Sequence, residues 1–318
     1  MKFYFAPLEG ITGFTYRNAF SELFGGPDKY YAPFISPSVN DRMRGKEIRD
    51  ILPENNRNIN LIPQILVNNS DYFIKAAKQL IEMGYTKEIN INIGCPSGTV
   101  VSKKKGAGFL TEIDLMDKFF EEIYKWCDSL ESPIDISVKT RIGMYDADEF
   151  KEIMNIYNRY SISELIVHPR TRVQMYRGLP DMKVFEYAVE VSKNRLCYNG
   201  DINTVEDYKK IADKYKTDSV MIGRGLIANP NLINEINGAE SVTIEQLKMY
   251  HDRLYADFEK IMKADKHLLF KMKEFWNYVS WNFEDAHKCA KKVRKAQNLY
   301  QYNKAADEIF EKGVVKRG

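Results

Sequence analysis

The chain has 318 residues, which is long for one ordinary domain and suits either two modest domains or one large α/β barrel with an addition. Hydrophobic residues make up 44% and charged residues 29%, with a mean hydropathy of −0.45; this balance excludes disordered, collagen-like and coiled-coil chains and leaves material for a sizeable core. The net charge of +3 is too small to announce a nucleic-acid partner, but it is unevenly placed: residues 239–318 carry 16 basic and 12 acidic side chains, against 31 and 32 in residues 1–238.

Short β-branched or aromatic runs recur along the chain, each followed by a turn signal and a segment of helical period. In order they are Lys2–Ala6, Tyr30–Pro33, Asn60–Ile65, Glu88–Asn92, Ile134–Lys139, Glu164–Val167, Leu196–Asn199 and Ser219–Ile222. Helices are predicted between them over Tyr72–Met83, Asp114–Trp126, Glu149–Tyr160, Val184–Ser192 and Val205–Tyr215. Alternation of this kind implies a parallel sheet, and eight units before Gly238 match a TIM (β/α)8 barrel. A doubly wound sheet would want a glycine-rich dinucleotide fingerprint after its first strand, and Glu9-Gly10-Ile11-Thr12-Gly13 is not one.

Past Gly238 the strand pattern stops. Helices are predicted over Thr243–Met262, opened by a capping box of Thr243 and Gln246, and then over His267–Trp281, Glu284–Tyr300 and Ala305–Lys312. The expected organisation is therefore a barrel over 1–238 and a C-terminal all-α domain over 239–318. Cys95, Cys127, Cys197 and Cys289 lack CxxC spacing, no His/Cys cluster suggests a metal, and a reduced cytoplasmic compartment is expected. No apolar run approaches the ~18 residues of a membrane span. Met1–Phe5 enters directly into a strand-like run, so no cleavable signal is expected.

In a barrel, chemistry gathers at the carboxyl ends of the strands, and here nearly every strand end carries polar or special-backbone residues. Asn199-Gly200-Asp201 and Gly223-Arg224-Gly225 follow the last two strands, where barrels often bind phosphate through backbone N–H groups; Arg224 adds a charge-assisted contact. Lys139 ends the fifth strand and His168 follows the sixth, so both converge on the mouth. Cys95 stands between Gly94 and Pro96 on the loop after the fourth strand; a thiol of ordinary pKa, about 8.5, is mostly protonated at neutral pH and can donate a proton as well as attack. The other three cysteines read as packing. Lys103-Lys104-Lys105 continues the Cys95 loop, either as a solvated face or as a phosphate contact. Tyr176 and Arg177 offer an aromatic platform and a cation of the kind that recognises unstacked bases.

Taken in order, these motifs resemble the tRNA-dihydrouridine synthase family over nearly the whole chain. The resemblance is carried by Ala6-Pro7-Leu8-Glu9-Gly10-Ile11-Thr12, by Asn92-Ile93-Gly94-Cys95-Pro96 running to Gly106-Ala107-Gly108-Phe109-Leu110, and by Ser137-Val138-Lys139-Thr140-Arg141-Ile142-Gly143. It continues through His168-Pro169-Arg170-Thr171-Arg172, Tyr176-Arg177-Gly178, Asn199-Gly200-Asp201-Ile202 and Met221-Ile222-Gly223-Arg224-Gly225. Leu8, Pro169 and Leu179-Pro180-Asp181 depart from the family's usual residues.

The resemblance implies flavin mononucleotide (FMN) in the barrel mouth, NADPH as reductant, and reduction of a tRNA uridine to 5,6-dihydrouridine. It places Pro7, Leu8, Glu9, Gln64, Lys139 and His168 about the flavin and Asn199, Gly200, Asp201, Gly223 and Arg224 at its phosphate end. Cys95 is implied as the proton donor. Asn92, Arg170 and Tyr176 are expected at the flipped base, and Lys271, Lys273 and Arg294 at the tRNA. Lys271 and Lys273 lie two apart on a helix and so splay widely. A monomer bound to one tRNA is expected. Two other readings stay open: a flavin-dependent dihydropyrimidine or dihydroorotate type oxidoreductase acting on a free base, and a tRNA-binding or folding module without redox turnover. The basic helical tail argues against a free base as substrate.

Overall fold

In the computed structural model, which describes residues 1–37, 45–215 and 217–316, all eight expected strand segments form. They are β1 (Lys2–Phe5), β2 (Lys29–Tyr31), β3 (Leu61–Ile62), β4 (Gln64–Ile65), β5 (Glu88–Ile93), β6 (Asp135–Arg141), β7 (Glu164–His168), β8 (Leu196–Tyr198) and β9 (Ser219–Ile222). The third expected strand is split into β3 and β4 by Pro63, which has no N–H to give a ladder. Every pairing is parallel, in the order β3-β2-β1-β9-β8-β7-β6-β5-β4. Since β3 and β4 are separated only by Pro63, the order returns on itself, and the sheet is a (β/α)8 barrel.

The helices between strands run over Ser70–Glu82, Ile113–Asp128, Phe150–Tyr157, Met182–Val191 and Val205–Lys214, close to their expected limits. Asp146 and Glu149 make a capping box around a 3-10 turn, Ala147–Glu149, that leads into Phe150–Tyr157. Among the described residues no helix is long and apolar enough to cross a membrane.

Two compact units divide the chain. The first comprises Met1–Pro7, Asp28–Asp201 and Ile211–Ile222; the second comprises Leu8–Pro27, Ile202–Lys210 and Gly223–Gly318, of which 317 and 318 lie outside the described residues. These units and the expected division at Gly238 differ over residues 8–27, 202–210 and 223–238. In the second unit the helix Phe14–Leu23, not expected from the sequence, lies along the helix Ile244–Ile261: the Tyr250 ring meets those of Tyr16 and Phe24 at 5.7 and 5.3 Å, and Arg253 pairs with Glu22 at 2.8 Å.

The Thr243–Gln246 capping box forms and opens the helix Ile244–Ile261, followed by Asp265–Val279. The expected continuous helix Glu284–Tyr300 is instead broken. Ala286–Lys295 ends at Ala296, and Asn298 starts Leu299–Lys312 by accepting a hydrogen bond from the Gln301 N–H. The core of this unit holds a polar chain: the Trp276 indole N–H donates to the Tyr302 hydroxyl (2.9 Å), which donates to His251 Nε2 (2.6 Å), leaving Nδ1–H to donate to Asp252 (2.8 Å).

Inside the first unit, the alternation along the strands puts polar residues toward the barrel axis and apolar ones, such as Ile89, Ile91 and Ile93, against the helices. At the amino-terminal end of the strands this interior is an ion cluster. Lys29 pairs with Glu88 (2.6 Å) and Glu164 (3.4 Å), Tyr31 donates to Glu88 (3.2 Å), and Tyr4 and Ser219 donate to Glu164 (3.0 and 2.6 Å). Burial pulls the Lys29 pKa down, but the two carboxylates outweigh it and hold the ammonium above the ordinary lysine value. Stability is the part that barrel architecture gives to this end of the strands. Lys29→Met should leave two buried carboxylates uncompensated and destabilise the chain by about 3 kcal/mol, measured by urea unfolding.

Candidate active site

At the carboxyl ends of the same strands a ladder of amides crosses the barrel interior. Asn92 donates to Gln64 Oε1 (2.7 Å), Gln64 Nε2 donates to Asn90 Oδ1 (2.7 Å), and Asn90 Nδ2 donates to Ser137 Oγ (2.8 Å). The parallel register dictates these partners, since Gln64 sits beside Asn90 and Asn90 beside Ser137. One step further on, Asn92 sits beside Lys139.

Asn92 also builds the Cys95 loop. Its Oδ1 accepts the N–H of Gly94 (3.0 Å) and of Cys95 (2.9 Å), closing an Asx turn off the end of β5. The Cys95 carbonyl accepts the Ala107 N–H (3.0 Å). Gly106, at φ +55°, passes so close that a Cβ there would lie 2.9 Å from Cys95 Cβ and 2.8 Å from its carbonyl oxygen. The thiol is half-buried, on a backbone held from both sides. The Gly106-Ala107-Gly108 segment therefore forms the floor under the cysteine.

Two arginines tie this loop to the one after β7. Arg141, almost wholly buried, donates through Nε to the Gly94 carbonyl (3.0 Å) and through Nη1 to the carbonyls of Thr171 (2.9 Å) and Met175 (2.8 Å). Its guanidinium lies 5.4 Å from the Tyr176 ring centre. Burial lowers its pKa to about 10, so it stays charged at neutral pH. Arg172 adds a bond to the Pro96 carbonyl (3.2 Å). Sequence reasoning missed a site role for both arginines; for Arg141 the signal was a charged residue at an inward strand position.

Lys139 stands out electrostatically. Among the described residues its ammonium has no hydrogen bond and no carboxylate partner, and burial, reinforced by Arg141, lowers its pKa to about 8. Cys197 and Cys95 offset this in part. A half-buried cation without a carboxylate among the described residues is a candidate contact for an electron-rich ligand.

The remaining expected residues fall as follows. Arg170 is fully buried and forms a two-pronged pair with Asp201, Nη2 to Oδ2 at 2.5 Å and Nη1 to Oδ1 at 3.1 Å, while also donating to the Gly178 carbonyl (2.6 Å). Its Nη1 lies 3.1 Å from His168 Nε2; a guanidinium only donates, so that ring nitrogen accepts and the ring proton sits on Nδ1. Tyr176, half-exposed, inclines over His168 with ring centres 6.1 Å apart. Asn199 donates to the Met221 carbonyl (2.7 Å). A Cβ at position 200 would lie 2.0 Å from the Tyr198 Oη, so a larger residue there would have to displace that ring.

Pro7 follows β1 in the first unit, whereas Leu8, Glu9, Gly223 and Arg224 belong to the second. There, the Leu8 N–H donates to Thr12 Oγ1 (2.8 Å), and Gly223 precedes the short helix Arg224–Ala228. In the helical part of that unit, Lys271 contacts the Gly10 carbonyl and pairs with Glu274 (2.7 Å), and Lys273 donates to the Ala296 carbonyl where the helix Ala286–Lys295 ends. Arg294 is exposed on that helix.

The family model for dihydrouridine synthases matches residues 4–314. A probable tRNA-dihydrouridine synthase of Staphylococcus aureus (strain Mu50) is 29% identical over 265 residues, covering 81% of this chain and 78% of the relative. A probable tRNA-dihydrouridine synthase 2 of Bacillus subtilis (strain 168) is 28% identical over 235 residues, covering 72% and 70%. Among solved structures, the old yellow enzyme from Trypanosoma cruzi superposes with a TM-score of 0.50 at 12% identity, covering 80% of this chain and 93% of that one, a likeness of fold.

The Lys139 environment has a measurable consequence. Its pKa is lower in the folded chain than the ordinary 10.5, so between about 8 and 10.5 the unfolded chain binds more protons and stability rises with pH; below about 8 the buried charge costs its full amount. Without added ligand, Lys139→Met should therefore be more stable than the natural chain by roughly 1–3 kcal/mol at neutral pH. Denaturant titrations should show that gap closing as pH rises through 8 toward 10.5.

Proposed function

Because the chain belongs to the dihydrouridine synthase family, we propose that it reduces uridine in tRNA to 5,6-dihydrouridine, with FMN held in the barrel mouth and NADPH as the source of electrons. The observation that carries this reading is the pairing of a thiol on a fixed loop with an ammonium at the adjacent strand position that has no partner among the described residues, Cys95 through Asn92 and Lys139.

The mouth fits a flavin on its own chemistry. A flavin ring offers carbonyl and ring-nitrogen acceptors along one edge, and Lys139 supplies a half-buried donor with no competing protein acceptor among the described residues. Gln64, with one amide hydrogen beyond the bond it gives Asn90, is a second. Asn199, Gly200 and Asp201 lie beyond β8, and His168 Nδ1–H is a neutral donor. When bound, FMN supplies the two-electron reduction of the 5,6 double bond of uracil.

The chain's own residues then do the rest. Cys95, neutral and held on its loop, gives a proton to uracil C5 as negative charge builds there, and the resulting thiolate is stabilised by the positive field of Lys139 and Arg141. Tyr176 offers a half-exposed ring on which a base drawn out of its stack can pack. Asn92 and Arg170 act on the base indirectly, since the Asn92 carbonyl is committed to the Cys95 loop and the Arg170 guanidinium to Asp201 and His168. For tRNA contact in the helical part, Arg294 stands exposed with Lys291 and Lys295 on one helix. Lys271 and Lys273 would each have to leave a protein carbonyl to reach a phosphate.

Two outcomes test this. Cys95→Ala should lower the rate of dihydrouridine formation by at least about 100-fold while flavin uptake and tRNA binding are retained; a variant that forms the product at the natural rate removes the thiol from the mechanism. If the Lys139 cation holds the flavin, affinity for FMN should fall as pH rises above about 8, and in Lys139→Met it should be weak and independent of pH over the same range, as followed by flavin fluorescence.

A further inference from the structure

Of the three consecutive lysines after the Cys95 loop, only the middle one is neutralised among the described residues. Lys104 pairs with Glu112 at 2.9 Å. Lys103 and Lys105 have no carboxylate and no side-chain hydrogen bond among the described residues. Yet their backbone is tightly held. Asn68 Nδ2 donates to the carbonyls of both Lys103 (3.1 Å) and Lys104 (3.0 Å). The N–H groups of Lys103, Lys104 and Lys105 donate back to the carbonyls of Val100, Val101 and Val100 at 3.1, 2.9 and 3.3 Å. Lys104 is at φ +52°, a left-handed conformation that a non-glycine residue adopts at a cost. The Lys104 and Lys105 bonds close the helix Gly98–Val101 as a Schellman cap with Lys104 in its left-handed position, and that cap, with the Asn68 bonds, fixes the backbone from which Lys103 and Lys105 project.

The arrangement also has an unrelieved repulsion. Lys105 is half-buried, and burial together with Lys103 holds its pKa below the ordinary lysine value. What relieves two neighbouring cations is an anion between them. The next residue, Gly106, is the one pressed against Cys95, and Ala107 donates to the Cys95 carbonyl. An anion on Lys105 is thus one residue from the floor of the catalytic loop.

We propose that Lys103 and Lys105 form a phosphate-binding element on the Cys95 loop that takes a backbone phosphate of the substrate RNA beside the reacting uridine. The assignment rests on the reading of RNA as substrate and deepens it. It gives the barrel its own RNA contact, joined through Gly106 to the residue that delivers the proton. Lys103 and Lys105 act as positioning residues: the phosphate they hold sets where the base enters relative to the thiol.

The test is a binding titration of the flavin-loaded full chain with an unmodified tRNA transcript at several salt concentrations, for the natural chain, K103Q/K105Q, K104Q and K103R/K105R. One shared phosphate lost should reduce the slope of log K against log salt by about 0.7–0.9, and two separate ones by about twice that. K103Q/K105Q should show such a loss, with a raised KM for tRNA and a lowered kcat, because the base is no longer registered on Cys95. K104Q should show little change, and K103R/K105R, which keeps both charges, should restore the natural slope even if the glutamine pair lowers Tm. An unchanged slope in K103Q/K105Q, or an equal loss in K104Q, would overturn the assignment. The titration does not require turnover. A natural chain that bound tRNA with the expected slope difference but formed no dihydrouridine would sink the proposed function and leave the phosphate element in place.

Discussion

One side-chain amide fixes the geometry of the mouth. Asn92 gives an N–H to Gln64 and receives the N–H groups of Gly94 and Cys95, so the barrel wall and the Cys95 loop are held by the same group. The same loop is held further by the close passage of Gly106 beneath it, the Ala107 bond to the Cys95 carbonyl, and the Arg141 bond to the Gly94 carbonyl. A residue with an apolar side chain of the same size would leave the buried Gln64 amide oxygen unsatisfied, at a cost of about 1–3 kcal/mol, and would release two half-buried loop N–H groups. The loop would then be free to find other partners.

The barrel treats charge differently at its two ends. At the amino-terminal end of the strands, Lys29 is surrounded by Glu88 and Glu164, whose carboxylates are in turn satisfied by hydroxyl donors. At the carboxyl-terminal end, Lys139 is half-buried next to a second cation, Arg141, without a counter-ion among the described residues. The first arrangement is compensated within the fold, and the second is the one that, on the proposed function, a bound cofactor completes. Strands β5 and β7 take part at both ends, Glu88 and Glu164 at one and Asn92 and His168 at the other, so the same alternation of inward polar and outward apolar residues produces both.

That alternation explains what could be read from the sequence and what could not. The eight strand segments and most helices were legible because β-branched runs and helical periods are local signals, and the ordered motifs pointed to the family. The break at Ala296–Asn298 was not, since it depends on the Asn298 cap and on a carbonyl that Lys273 occupies from another helix. Nor was the helix Phe14–Leu23, whose amphipathic pattern is weak and whose stability comes from the rings of Tyr16, Phe24 and Tyr250 meeting. In the mouth, Cys95, Lys139 and His168 could be named from strand-end position alone. The partners of Arg141 and Arg170 could not, because a long guanidinium reaches across loops far apart in sequence, as Arg141 does to Thr171 and Met175 and Arg170 to Asp201.

The decisive experiment begins with the chain loaded with FMN, reduced without oxygen and mixed with an unmodified tRNA transcript while flavin absorbance is followed and the tRNA is then digested for nucleoside mass spectrometry. One dihydrouridine should form for each flavin reoxidised. Absorbance that stays at the reduced level with no dihydrouridine in the digest, or reoxidation by tRNA that leaves every uridine unchanged, would contradict uridine reduction at this site.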